Sequence, residues 1–212
     1  MRRTRVAPVL VVVLVLAGCS AGPGDRTPEP IEATASEATV PEGTLSEAGF
    51  SASGVEEVRV DRSGTLPVSG DVQMDLGYQV RATGWRADYR SSDGGTVFAL
   101  YTVPLAEPER VDAQIDPLGN RTTPEVAAEA QTAYGDLRGL EHERNRTVTV
   151  LGTETTVRQF SGTATRDGGT AEVTVYLAVV DHGSDRVRAV AVAPRDVEEW
   201  ERLRPVFEDV SH

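Results

Sequence analysis

The chain has 212 residues, with 33 acidic side chains against 21 basic ones, every basic one an arginine, for a net charge of −12. Phosphate backbones bind clustered cations, so this composition excludes a nucleic-acid partner, and it disfavours adhesion to anionic lipid headgroups for the same reason. An acidic, lysine-free surface suits molar salt, where a Debye length of about 3 Å screens the repulsion among its carboxylates.

In chain order, the first predicted element is a leader. Met1-Arg2-Arg3-Thr4-Arg5 is basic, Val6 to Leu16 is apolar apart from Pro8, and Ala17-Gly18 forms a small-residue exit, the order a secretory signal requires. The apolar run is about half the roughly 20 residues a spanning helix needs. Leu16-Ala17-Gly18-Cys19 resembles a lipobox, in which Cys19 becomes the first mature residue and carries lipid on its sulfur. Residues 1–18 are therefore expected to be a lipoprotein signal peptide, and Cys19 the lipid attachment site on the outer face of the cell membrane. Each buried CH₂ adds about 0.8 kcal/mol to such an anchor, so two acyl chains hold it durably. Arg2-Arg3 raises twin-arginine export as one route. Loss of 1–18 removes Arg2, Arg3 and Arg5 and no acid, leaving 18 arginines against 33 acids, a net charge of −15.

Residues 19–45 are rich in Pro, Ala, Thr and Glu and nearly devoid of large apolar side chains, which predicts a flexible, disordered tether with a reach of about 30 Å. Residues 46–212 then read as one globular domain. Val55-Val58-Val60 predicts a short strand, Tyr78 to Tyr89 a longer one, and Thr96 to Val103 a nearly continuous apolar one. A helix is expected from Thr122 or Thr123, with Pro124 in its first turn and Val126, Ala130, Ala133, Tyr134 and Leu137 on one face. Four strands follow at 147–151, 155–165, 171–180 and 186–193, joined by tight turns at 152–154, 167–169 and 181–185, which imply antiparallel neighbours. A second helix is expected after Pro194, capped by Asp196 and carrying Val197, Trp200, Leu203, Phe207 and Val210, with Pro205 causing a kink or restart. The sum is an α+β fold: an antiparallel sheet of about six or seven strands covered by two amphipathic helices.

The segments "YTVPLAEPE", "DPLGNRTTPEVAAEAQTAYGDL", "VTVLGTETTVRQFSGTA" and "VTVYLAVVDHGSD", with the ending "FEDVSH", resemble the uncharacterised secreted lipoproteins of haloarchaea, grouped as a domain of unknown function. The resemblance covers roughly residues 78–212 together with the lipobox. Its most specific pieces are Val150-Leu151-Gly152-x-Glu154-Thr155-Thr156 and the last helix. Those proteins tend to have Asn-Pro-Leu where this chain has Asp116-Pro117-Leu118, so no role is carried onto that position. The element order is also similar to the PsbP/Mog1-like sandwich, which implies binding or assembly work.

Few side chains invite a chemical role. Asn120-Arg121-Thr122 and Asn145-Arg146-Thr147 make Asn120 and Asn145 candidate N-glycosylation sites. "DHGSD" at 181–185 contains Asp, His and Ser, but five consecutive turn residues splay apart, whereas triad members converge from separate elements. Carboxylates at Asp181 and Asp185 or around Asp167 are of a type that ligates Ca²⁺, yet no ligand loop with alternating acids is present. His142, His182 and His212 lack a zinc-binding spacing, so no metal is expected. In "LEHERNR" (140–146) alternation puts His142 and Arg144 on one face of a solvated strand edge. Trp85 and Trp200 lie on apolar faces and are expected to pack in the core. No catalytic residue and no cofactor is predicted. The reading is a lipid-anchored cell-surface binding or accessory protein without catalytic activity, partnered by the membrane through Cys19 and by an extracellular protein or small ligand. A structural envelope spacer is the alternative, and a salt-adapted secreted enzyme a lesser one.

Overall fold

A computed structural model describes residues 29–68, 74–108 and 112–212. The leader and Cys19 lie outside the described residues. Eight strands, β1 (Ile31–Thr34), β2 (Phe50–Val68), β3 (Met74–Ser91), β4 (Val97–Pro104), β5 (Gly135–Val150), β6 (Thr153–Arg166), β7 (Gly169–His182) and β8 (Asp185–Pro194), form one sheet. The helices are α1 (Glu42–Glu47), α2 (Thr123–Ala130) and α3 (Trp200–Glu208).

Turn chemistry frames the second half. Leu151-Gly152 and Asp167-Gly168 both place two residues at positive φ (51° and 76°, 51° and 78°). This backbone matches the twist of flanking strands in a two-residue hairpin, so β5 to β8 close as an antiparallel meander. Beyond it β4 pairs with β8, β3 with β4, and β2 lies antiparallel along the whole of β3. The other edge of β3 is shared: β4 takes Trp85–Arg90, and β1 runs parallel to Val80–Thr83. At the junction between those two partners stands Gly84, where a Cβ would collide with the carbonyl oxygen of Thr102.

The expected fold class is overturned. Of the described residues 60% are strand and 13% helix, and the sheet is mixed and eight-stranded, so it is not an antiparallel sheet under two amphipathic helices. The expected first helix stops at Ala130 because the Gln131 side chain takes over the local hydrogen bonds. Its Oε1 accepts from the N–H groups of Ala133 and Tyr134 at 2.8 Å each, and its Nε2 donates to the Tyr134 carbonyl at 2.6 Å. Tyr134 and Leu137 still bury in the same apolar layer as Val126 and Ala130, which produced a helical period without a helix. The second helix starts at Trp200 rather than after Pro194, leaving Val197 exposed, and it runs through Pro205 without restarting.

The expected tether to residue 45 is also corrected. β1 and α1 belong to the domain, and Ala35, Ala38, Val40 and Leu45 are buried. Small alanines meet the sheet closely while the intervening Glu and Thr face solvent, so the stretch packs despite a composition that reads as unstructured. Only residues 19–28 of the expected tether fall outside the described residues.

Strand alternation gives the sheet two apolar faces. One carries Phe98, Leu100, Tyr176, Ala189 and Ala191 and is capped by α1 and α3, with Phe207 edge-on to Phe98 at 5.0 Å. The other carries Val97, Tyr101, Val175, Leu177, Val190 and Val192 and is covered by α2 and Leu118. Helices of six, eight and nine residues cover little of so long a sheet. Irregular chain does the rest, and it leaves a cleft at one side of α2.

Candidate functional site

β8 reads Asp185-Arg-Val-Arg-Ala-Val-Ala-Val-Ala-Pro194, and its period of two points Arg186 and Arg188 to the face that carries Val190 and Val192. This face is built to be apolar, so two arginines there need a partner. It comes from the loop between β4 and α2: Asp116 Oδ2 accepts from Arg186 Nη1 at 2.8 Å and from Arg188 Nη2. The loop holds Asp116 in place. Its Oδ1 accepts from Leu118 N–H at 2.9 Å, its carbonyl accepts from Arg62 Nη1, and Ala106 and Ile115 bridge just before it.

Arg186 also donates through Nε and Nη2 to both oxygens of Asp181, its cross-strand neighbour, at 2.6 and 2.8 Å. The hydrogen bonds from Arg186 hold the Asp181 carboxyl below its ordinary pKa, and with Asp116 they raise that of Arg186. Arg188 differs. Its side chain is only 5% exposed, and burial lowers its pKa, an effect that the attraction of Asp116 offsets in part. A guanidinium stays charged despite such a shift. Its Nη1 is buried and has no hydrogen-bond partner among the described residues. An orphaned donor on a charged group costs about 1–3 kcal/mol or more.

That nitrogen belongs to a residue lining a cleft of about 190 Å³. Arg121 and Arg158 complete the cationic lining, while Leu118, Val126, Leu177 and Val179 supply apolar walls. Arg121 pairs with Glu129 at 3.1 Å; Arg158 has no carboxylate partner among the described residues. The space equals about six water molecules. Arg158 and Val179 also line a shallower groove of about 540 Å³ with Thr153, Glu154, Thr156 and Asp181, so cleft and groove are continuous. Guanidinium donors lining a cleft with apolar walls neutralise and orient an anion.

The residues singled out by sequence fall elsewhere. Asn120 is exposed in the turn beside the cleft, next to Gly119 of its lining; Asn145 is exposed on the edge strand β5, its Oδ1 2.8 Å from His142 Nε2. His142 and Arg144 do not share a face: a bulge between them sets His142 opposite Phe160 and Arg144 opposite Gln159. Trp200 is buried and stacks on Tyr176, while Trp85 is half-buried and donates to the Ala35 carbonyl at 3.0 Å. Within "DHGSD", Asp181 turns to Arg186 and Asp185 to the opposite face. There Asp185 Oδ2 meets His212 Nε2 at 3.0 Å and accepts from Ser36 N–H at 2.8 Å, with the His182 ring against that of His212. This buried clasp ties three distant parts of the chain together. Among the described residues no group of three or more His, Cys, Asp or Glu is placed to hold a metal ion, and no helix is long and apolar enough to cross a membrane.

Sequence reasoning missed the arginine cleft, although one signal was present: two arginines two residues apart in a strand that, after Asp185, is otherwise apolar on both faces. Residues 37–211 match the model of a family described as a domain of unknown function, DUF6517. A search of the curated proteins finds no match.

Proposed function

The chain belongs to the DUF6517 family, a domain of unknown function, and from that premise we propose that it is a non-catalytic binding module that captures a small anion in the arginine-lined cleft. In this reading lipid on Cys19 tethers it to the outer face of the cell membrane, as in the haloarchaeal lipoproteins it resembles, and its acidic, lysine-free surface serves salt-rich surroundings. The observation that carries the binding claim is Arg188 Nη1, a buried charged donor without a partner, on a residue that lines the cleft. Four arginines around one small cavity invert the charge of a chain in which acids outnumber bases 33 to 21. Arginine is also suited to the work, since its planar fork matches carboxylates and phosphates and sheds water readily.

The test is calorimetric titration of acetate and of phosphate into the full chain at constant ionic strength, with Arg188→Met as the control. The reading expects saturable binding of at least one anion by the unaltered protein and none by the variant. No binding, or equal binding by both, would overturn it and leave the envelope-spacer reading in its place.

A further inference from the structure

We propose that the anion is a hydroxylated monocarboxylate of the sugar-acid class, its carboxylate in the arginine cleft and its hydroxyl-bearing body along the threonine-lined groove of β6. This rests on the reading of the cleft as an anion site and adds the charge and shape of the ligand.

Charge sets the first limit. The cleft has four guanidinium groups, at Arg121, Arg158, Arg186 and Arg188. Three carboxylates already touch them: Glu129 on Arg121, Asp181 on Arg186, and Asp116 on both Arg186 and Arg188. One positive charge is left over, and it corresponds to Arg158 together with the free Nη1 of Arg188. A monoanion balances it. A dianion such as phosphate overshoots it, and the excess charge meets the Glu154 carboxylate in the adjoining groove, where like charge is penalised.

Shape sets the second. The cleft of about 190 Å³ takes the carboxylate end of such a ligand, and Arg158 and Val179 carry its lining into the larger groove. The register extends that lining sideways, since Thr156 is paired with Thr147 of β5 and Glu154 with Thr149. Threonine hydroxyls donate and accept, and Glu154 accepts, which suits a body carrying several hydroxyls. Val179, 37% exposed in this polar setting, offers an apolar spot for the C–H face of a ring. Its cross-strand partner is Arg188, so ring contact and carboxylate capture sit on adjacent strands.

The experiment is calorimetric titration of glucuronate, acetate, glucose and phosphate into the full chain at one ionic strength, repeated with Thr156→Val. Thr156 is exposed on the strand, so this variant is expected to fold normally, which circular dichroism checks. Glucuronate should bind at least tenfold tighter than acetate, glucose should not bind, and Thr156→Val should shrink the preference for glucuronate over acetate by about fivefold, one hydrogen bond's worth. Acetate or phosphate binding as tightly as glucuronate would overturn the sugar-acid assignment and leave the cleft as a general anion site. Glucose binding as tightly as glucuronate, or no ligand binding at all, would overturn both readings.

Discussion

Replacing Arg188 by Met separates a residue kept for binding from one kept for stability. In the folded protein Arg188 contributes one charge-assisted hydrogen bond to Asp116, worth about 1.5–3 kcal/mol, and leaves Nη1 buried without a partner, a penalty of about 1–3 kcal/mol. Methionine removes both. It fills a similar volume against Leu177 and Val179, and Asp116 keeps Arg186 at 2.8 Å, so no carboxylate is stranded. Buried ion pairs replaced by apolar side chains of similar size are often neutral or better in stability. The expected change is within about 1 kcal/mol, or roughly 4 °C in Tm for a domain of this size. Thermal unfolding followed by circular dichroism measures it. A loss of about 3 kcal/mol or more would refute the reasoning, because Arg188 would then be a structural brace whose second nitrogen has no ligand to wait for.

Three further outcomes follow from the same geometry. Leu45→Ala should cost about 3 kcal/mol, lowering Tm by roughly 6–12 °C, because Leu45 is the 3% exposed side chain that α1 packs into the core; in an unpacked tether the same change would be within about 0.5 kcal/mol. Asp181 has its pKa depressed below 3.8 by Arg186, so its stabilisation is complete above that value and is lost as pH falls through the lower folded one. Asp181→Asn should therefore lose less stability than the unaltered chain between pH 5 and pH 3, read from urea midpoints; an unchanged slope would contradict the pairing. Cys19→Ser should release the protein from the membrane fraction or leave it unprocessed, and a variant still anchored and correctly cleaved would defeat the lipid-anchor proposal.

What was legible in the amino-acid order was local. Asp167-Gly168 and Gly152 announce hairpins because few residues tolerate positive φ, and the apolar runs of β4, β7 and β8 follow from burial on both faces. The misreadings came where tertiary contacts reassign a local pattern. Tyr134 and Leu137 keep a helical spacing while Gln131 ends the helix, and Ala35, Ala38 and Val40 look like linker until β1 lies parallel to β3. The cleft is the least local feature. Arg186 and Arg188 meet an aspartate 70 and 72 positions earlier, and His212 meets Asp185 from 27 positions away. Two arginines in an apolar strand signal that a partner exists, but not which acid fills the role or that one nitrogen stays free.

The central claim, that the arginine-lined cleft is a binding site for a carboxylate, is tested most directly by a methyl NMR titration of the full chain with glucuronate. Saturable shifts should be concentrated at Leu118, Val126, Leu177 and Val179, the apolar walls of the cleft, and should vanish in Arg188→Met. Shifts scattered over the surface, confined to other methyls, or unchanged in the variant would contradict it.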